Sequence, residues 1–504
     1  MKKNVLIISV VCLCLCTVAY TYSAFSRTIV GNISATNAAW AFKANVAGAS
    51  VENDYYKLPL TNSTGSFDIV VDNTDSKKNA NFDIVLDKVN LPSDLKFYKD
   101  SSYSNEITNN IYTASSNKTS TTVKIYYKSD SSVNGSVRIK VRGTLRKGTS
   151  LYDYISSLTN NGSDSGIDFS KVPSATNGDG INIVSSTVDS TYPVYYYRGA
   201  VTNNNIIFAN FCWKIVRTTE TGGVKLLYNG VPTNGTCNNT KTATQLSKSS
   251  YFSTAVNSPI YVGYMQGLTA YNGNQYSDYK AHLEDTSVID SSDTTTETIG
   301  TKTFAIAGRH AQNAKSSVVK IAIDTWYQTN IEGTSYADML EDTVWCNNRE
   351  TSTLTYTLDN VISKKYSYFN FQNKERLAAS PFKPTLTCTR DIDKFTVSSA
   401  NGNGDLEYPI GLITADEVAF AGSGYNATSK TYLYTGQYYW TMSPYYYNGG
   451  AYMFEYYASG TIRGVYAKNT SDSIGVRPAI SLSNDVLITG TGDGTASNPI
   501  QVTY

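Results

Sequence analysis

Asp416 and Glu417 are adjacent carboxylates, the residue types that general acid–base work or cation binding requires. They sit in ITADEVAFAG (413–422), where Thr414 and Glu417 spell the T-x-x-E of a capping box and Gly422 can end a helix. Capping accounts for Glu417, and the helix dipole favours both acids, so a structural role is expected for the pair. Histidine offers little raw material: there are two, His282 and His310. His310 lies in AGRHAQNAK with Ser316 and Ser317 downstream, but no nucleophile-elbow pattern surrounds those serines. GTGDGT (490–495) runs into Ala496, Ser497, Asn498 and Pro499 rather than a helix, so it reads as a turn and not a phosphate cradle. NGNGDLE (401–407) lacks the paired acidic ligands and terminal Glu of an EF-hand. No catalysis, metal or cofactor is expected.

Tyrosine is the unusual element. There are 41, against 16 Phe and 5 Trp, far more than a core needs. Tyr438, Tyr439, Tyr445, Tyr446, Tyr447, Tyr452, Tyr456, Tyr457 and Tyr466 crowd one stretch. A strand alternates its faces, so Tyr456 and Tyr457 cannot both face one core. Tyr445–Tyr447 precede Asn448-Gly449-Gly450 and read as a loop, which cannot bury all three rings. Binding loops favour Tyr, Ser, Gly and Asn, because Tyr gives rigid contact area at low entropy cost. The expected ligand face is Tyr445, Tyr446, Tyr447, Asn448, Glu455, Tyr457, Arg463, Tyr466 and Lys468. Alanine at Tyr446, Tyr447, Tyr457 and Tyr466 is expected to abolish binding and spare the fold.

The elements that must position these residues follow from pattern. The 504 residues suggest about three domains with connectors. Met1–Ala24 shows a secretory signal: Lys2 and Lys3, then an apolar run from Val5 to Ala19 that is short for a span of about 20 residues. An uncleaved signal anchor is the alternative. The C-terminal NPIQVTY shows no apolar tail, so no anchor is expected there. Net charge is +1, with no basic excess for a nucleic-acid backbone. Cys212, Cys237, Cys346 and Cys388 are an even set in an exported chain, which favours disulfides; local loops favour Cys212–Cys237 and Cys346–Cys388 over the other pairings. Free buried thiols are the alternative.

Segments 67–73, 81–89, 121–129 and 136–144 alternate apolar and polar residues between turn signals, which predicts a β-sandwich over 25–145. A linker follows over 146–191, with a short helix at 148–158. From 192 to 504, YPVYYYRGAV, NNIIFANFCWKIVRT and GGVKLLYNG predict a meander, and ASGT (458–461) a hairpin turn. SSVVKIAIDTWYQTNI (316–331) is the clearest helix, with Val319, Ala322, Ile323, Trp326 and Ile331 sharing a face.

AFSRTIVGNISATNAAWAFKANVAG (24–48) and LPLTNSTGSFDIVVDNTDSKKNANFDIVLDKV (58–89) resemble the TasA/camelysin-type exported proteins of Gram-positive bacteria. Members of that family form fibres or sit in the matrix. The strings at 192–230, 342–350, 401–422, 438–444 and 475–482 resemble a family of exported proteins from gut Firmicutes. The GVRP ending is similar to the C-type-lectin-like fold of formylglycine-generating-enzyme-like proteins, in which a loop-rich half presents the ligand surface. The reactive C-terminal cysteines of those enzymes have no counterpart after Cys388, so their oxidase activity is not implied. Residues 445–470 resemble the Tyr-rich variable stretch of diversity-generating retroelement proteins.

The expected class is therefore mainly β with minor α: an N-terminal β-sandwich followed by a C-type-lectin-like α+β domain. The expected function is a secreted or cell-surface binding or adhesion protein whose partner is a glycan or a host or bacterial surface protein. The competing expectation is a fibre or extracellular-matrix subunit, self-associating through the first domain.

Overall fold

Alternation organises the first unit of the computed structural model. The structure describes residues 26–29, 43–52, 55–72, 74, 80–116, 120–145, 149–185, 192–246, 250–267, 295–352, 369–378, 381–425, 428–468 and 474–503. The signal-like segment 1–24 and His282 lie outside the described residues. The chain divides into two units, Met1–Gly148 and Thr149–Tyr504.

In the first unit, Phe67, Ile69 and Val71 of strand Thr64–Asp72 are buried while Asp68, Val70 and Asp72 between and after them are half-buried. Ile69 pairs with Val123 and Phe67 with Ile125 on strand Ser120–Lys128. Lys43–Val46 and Lys96–Tyr98 complete that sheet. A second antiparallel sheet is centred on Gly135–Leu145, between Ala80–Val89 and Tyr55–Leu60, and contributes Ile84, Leu86, Val137, Ile139 and Val141 to the same core. Each such aliphatic side chain contributes roughly 1.5–3 kcal/mol by leaving water. The observed pair of sheets is the sandwich that the alternation predicts.

The second unit is built on a nine-stranded sheet. Its spine runs Ile410–Gly411, Ala479–Leu482, Val224–Tyr228, Phe211–Thr218, Asn205–Phe208, Ile500–Thr503, Leu487–Thr489. The contact of Asn205–Phe208 with Ile500–Thr503 is parallel. Asn205–Phe208, Phe211–Thr218 and Val224–Tyr228 form a meander with Thr219–Gly223 as a turn, whereas Tyr195–Arg198, expected as its first strand, pairs with Gly180–Ile183 and Phe211–Thr218 and not with the strand that follows it.

Segment 149–185, read from sequence as part of a linker, is built into this unit. Helix α1 (Leu151–Ser157) starts where the Ser150 side chain accepts from Asp153 N, and it sends Leu151 and Ile155 into the main core. Strand Gly180–Ile183 pairs with Tyr195–Arg198. The physical reason lies in Arg198, which is fully buried. Its guanidinium donates to the carbonyls of Lys171, Asn177, Ala419 and Phe420, and so ties the Gly/Ser/Asn-rich loop down.

Helix α2 (Val318–Asn330) has Ser317 as its N-cap. Its buried face is Val319, Lys320, Ile323, Asp324 and Tyr327. The expected face is thus rotated: Ala322 and Trp326 are half-buried, while two charged residues are inside. Lys320 Nζ lies 2.6 Å from Asp324 Oδ2 and also meets Glu407, so charge pairing replaces solvation. Helices α3 (Gln372–Ala378) and α4 (Ala415–Phe420) complete the set described. Two disulfides, Cys212–Cys237 and Cys346–Cys388, close loops of 25 and 42 residues. They fit an oxidising, extracellular compartment. Among the described residues, no helix is long and apolar enough to cross a membrane.

Candidate functional site

Tyr439–Tyr447, Ala451–Tyr456 and Ile462–Tyr466 form an antiparallel sheet with Phe369–Asn370. The expected loop at 445–447 is therefore strand, and the turn is confined to Asn448–Gly450, where Asn448 N donates to Gly450 O. The register slips on either side of Pro444. Such an irregularity suspends strict alternation, and the Tyr445 and Tyr446 rings come to lie 4.8 Å apart. Tyr445 is buried against Phe454, its ring occupying the place that a side chain at Gly464 would take.

Tyr446, Tyr452 and Tyr466 are directly opposed across three strands. Tyr446 and Tyr452 stack at 4.3 Å and 22°, and Tyr466 lies 5.3 Å from Tyr452. All three are half-buried. Lys374 of α3 reaches over this row, 4.7 Å from the Tyr446 ring, and donates to Asn370 Oδ1. Burial pushes its ammonium pKa down.

Other members of the expected ligand face lie elsewhere. Tyr447 is buried, its hydroxyl donating to Asn257 O. Glu455 is fully buried and accepts from Arg463 Nε at 2.5 Å. Alternation puts Glu455, Tyr457 and Arg463 on the face opposite Tyr452. Arg463 covers the Tyr457 ring at 3.8 Å. Asn448 is half-buried and Lys468 exposed. The tyrosine-rich stretch thus divides between a half-buried row, a second charged face and the core, where Tyr439 and Tyr456 stack at 4.7 Å.

His310 has an orienting acid that local sequence does not reveal. Its Nδ1 lies 2.8 Å from both oxygens of Asp405, and Asn313 Nδ2 donates to the same carboxylate. The acids of NGNGDLE are consumed by such pairs: Asp405 by His310, Glu407 by Lys320 and Arg309. Among the described residues, no group of His, Cys, Asp and Glu is placed to hold a metal ion.

The charged residues of α4 do more than cap. Thr414 and Glu417 form the capping box, as expected. Glu417 Oε1 also accepts from Arg217 Nε at 2.8 Å and Lys225 Nζ at 2.7 Å. Asp416 holds Arg376 in a two-point pair at 2.8 and 2.7 Å and accepts from Thr385 N. These groups line a cleft of about 640 Å³, whose wall includes the Cys346–Cys388 bridge. Sequence reasoning missed Arg217 and Lys225. A signal was present: Lys225 is a lone cation inside VKLLY, and Arg217 is one of two cations, with Lys214, inside FCWKIVRT, strands whose remaining residues read largely as core. The cleft draws part of its lining from the strings at 192–230, 342–350, 401–422 and 438–444, and the rest chiefly from residues between 373 and 400. No family model, curated protein or solved structure matches the chain.

Proposed function

We propose that the chain is an exported bacterial binding protein that docks a partner protein through the row Tyr446–Tyr452–Tyr466. The observation that carries this reading is the cross-strand register of the three half-buried rings. Tyr446 and Tyr452 stack on each other. The stack takes one face of each ring, Lys374 lies over Tyr446 and Tyr466 leans on Tyr452, so a sugar has little open ring to lie on. What they offer outward is ring edge and hydroxyl, pre-ordered by stacking, which suits an irregular protein surface. Lys374 adds a cation at one end of the row. The signal-like 1–24 and the two disulfides support an extracellular setting.

The test is an array of bacterial and host surface proteins, with a glycan array beside it, probed with the full chain and with Tyr452→Ala and Tyr466→Ala. Protein spots should weaken by about tenfold or more in each variant, as for central aromatic contacts. Signal on glycans alone, or protein binding that both variants leave intact, sinks the proposal.

A further inference from the structure

The two disulfides differ in their surroundings. Cys212 and Cys237 are 0% and 3% exposed. Cys212 lies in strand Phe211–Thr218, where its N–H donates to Gly230 O, and the Cys237 N–H donates to Ala496 O. A reagent reaches that bridge only when the central sheet opens. Cys346 and Cys388 are half-buried, and both line the cleft beside α4. At about 640 Å³, the cleft lies within the roughly 300–1,000 Å³ of small-molecule sites.

The two ends of the cleft disulfide are also held differently. Cys346 is fixed: Trp345 and Cys346 pair with Phe395 and Lys394, and Trp345 is fully buried. Cys388 sits in a segment with neither helix nor strand. From 384 to 389, among the described residues, no backbone group bonds to another backbone group. Three weaker ties hold the segment. Thr385 N donates to Asp416 Oδ1, the Thr389 hydroxyl donates to Glu350, and Leu386 packs against a small cluster around Tyr196 and Phe420. The bridge is its covalent tie to Cys346. Thr385, Leu386, Thr387 and Cys388 all line the cleft, so whatever releases Cys388 loosens one wall.

We propose that Cys346–Cys388 is a thiol-exchange site, at which a small uncharged thiol reacts from within the cleft and frees the wall 384–389. Carboxylates outnumber cations on the lining, so an anionic thiol gains nothing there. In the first step, the thiol RSH loses its proton to water and its thiolate attacks Cys388 Sγ. An RS–S bond forms as the Cys346–Cys388 bond breaks, and the electron pair leaves on Cys346 Sγ, which takes up a proton. In the second step, another thiolate attacks the mixed disulfide, releasing RS–SR and returning Cys388 as a thiol. Two thiols are oxidised and one cystine is reduced. The site shares no residue with the tyrosine row, so failure of either proposal leaves the other in place.

The experiment treats the folded full chain with 2-mercaptoethanol and no denaturant, traps free thiols with iodoacetamide, and locates them over time by peptide mapping. Cys346 and Cys388 should be released at least about tenfold faster than Cys212 and Cys237. In samples quenched early with acid, the mixed disulfide should sit on Cys388. Hydrogen exchange of the partly reduced chain should quicken at 385–389 and stay unchanged in strands Phe211–Thr218 and Val224–Tyr228. Release of all four cysteines together, which marks reduction through global unfolding, overturns the proposal. So does an adduct on Cys346 alone, or unchanged exchange at 385–389 once the bridge is open.

Discussion

Lys225 donates to Glu417 across 2.7 Å, with 1% and 2% of the two side chains open to solvent. Arg217 completes the group on the same carboxylate oxygen. Burial works to raise the Glu417 pKa, but Lys225 and then Arg217 outweigh it and bring it down to about 2. Burial in turn pushes Lys225 down, against the pull of Glu417. Lys225 also lies 4.3 Å over the Trp345 ring, so its charge has a second partner. The capping carboxylate of α4 is thereby the anchor for two strands of the nine-stranded sheet.

Replacing Glu417 by Gln keeps the cap's shape and removes the countercharge. Arg217 and Lys225 are then left inside without it. Breaking a buried pair from one side costs about 3–5 kcal/mol. Urea denaturation of Glu417→Gln, followed by tryptophan fluorescence, should show a loss in that range. A loss under about 1 kcal/mol means that water reaches the pair and screens it.

The same carboxylate sets an acid limit. A folded pKa lowered from 4.5 to about 2 contributes roughly 3 kcal/mol. That contribution is present above the unfolded pKa and disappears as pH falls from about 4.5 towards 2. Stability measured across this window should fall steeply in the parent and less steeply in Glu417→Gln. Parallel curves would assign the acid sensitivity to other carboxylates.

Much of this architecture is legible in the sequence because its causes are local. Phe67, Ile69 and Val71 declare their strand by alternation, and Thr414 with Glu417 declare a helix start. The candidate sites are less legible because their partners are distant. Arg217 and Lys225 lie 200 and 192 positions from Glu417, and His310 lies 95 from Asp405. No periodicity carries that pairing. The tyrosine stretch misleads for a different reason. The irregularity around Pro444 lets neighbouring rings share a face, which strict alternation forbids.

Tyrosines of one stretch should therefore separate by their effect on folding. Tyr447 and Tyr439 are interior, and truncation to Ala should cost about 3–5 kcal/mol. Tyr466, half-buried on the outer strand, should cost less than half of that. Thermal melts of the three single variants check the order. A Tyr447→Ala chain as stable as Tyr466→Ala contradicts the division between core and row.

Each disulfide should contribute about 3–4 kcal/mol by the loop-entropy argument, the longer Cys346–Cys388 loop slightly more. Paired Cys→Ser variants, measured by denaturation, test this. Peptide mapping without reductant should recover the same two pairs. Recovery of Cys212 joined to Cys346 or Cys388 would falsify the topology described here, since each bridge fixes neighbours of the cleft or the central sheet.

The pair His310–Asp405 gives a readout at a single proton. The hydrogen bond to Asp405 is the largest influence and raises the His310 pKa, against burial, which lowers it. A raised histidine stabilises the fold below its unfolded pKa of about 6.5, and that gain is lost as pH rises through the folded value. With only His282 and His310 in the chain, imidazole resonances are simple to follow by NMR. One should titrate above the usual histidine range, and Asp405→Asn should bring that same resonance down while the other stays put. Asn313 donates to the same carboxylate, so Asp405 is held whether or not the imidazole is charged. His310 N donates to Asp405 as well, so Asn313→Ala should still leave the ring paired and the titration raised. A His310 resonance that titrates normally in the parent chain means that the imidazole is not held by Asp405 in solution.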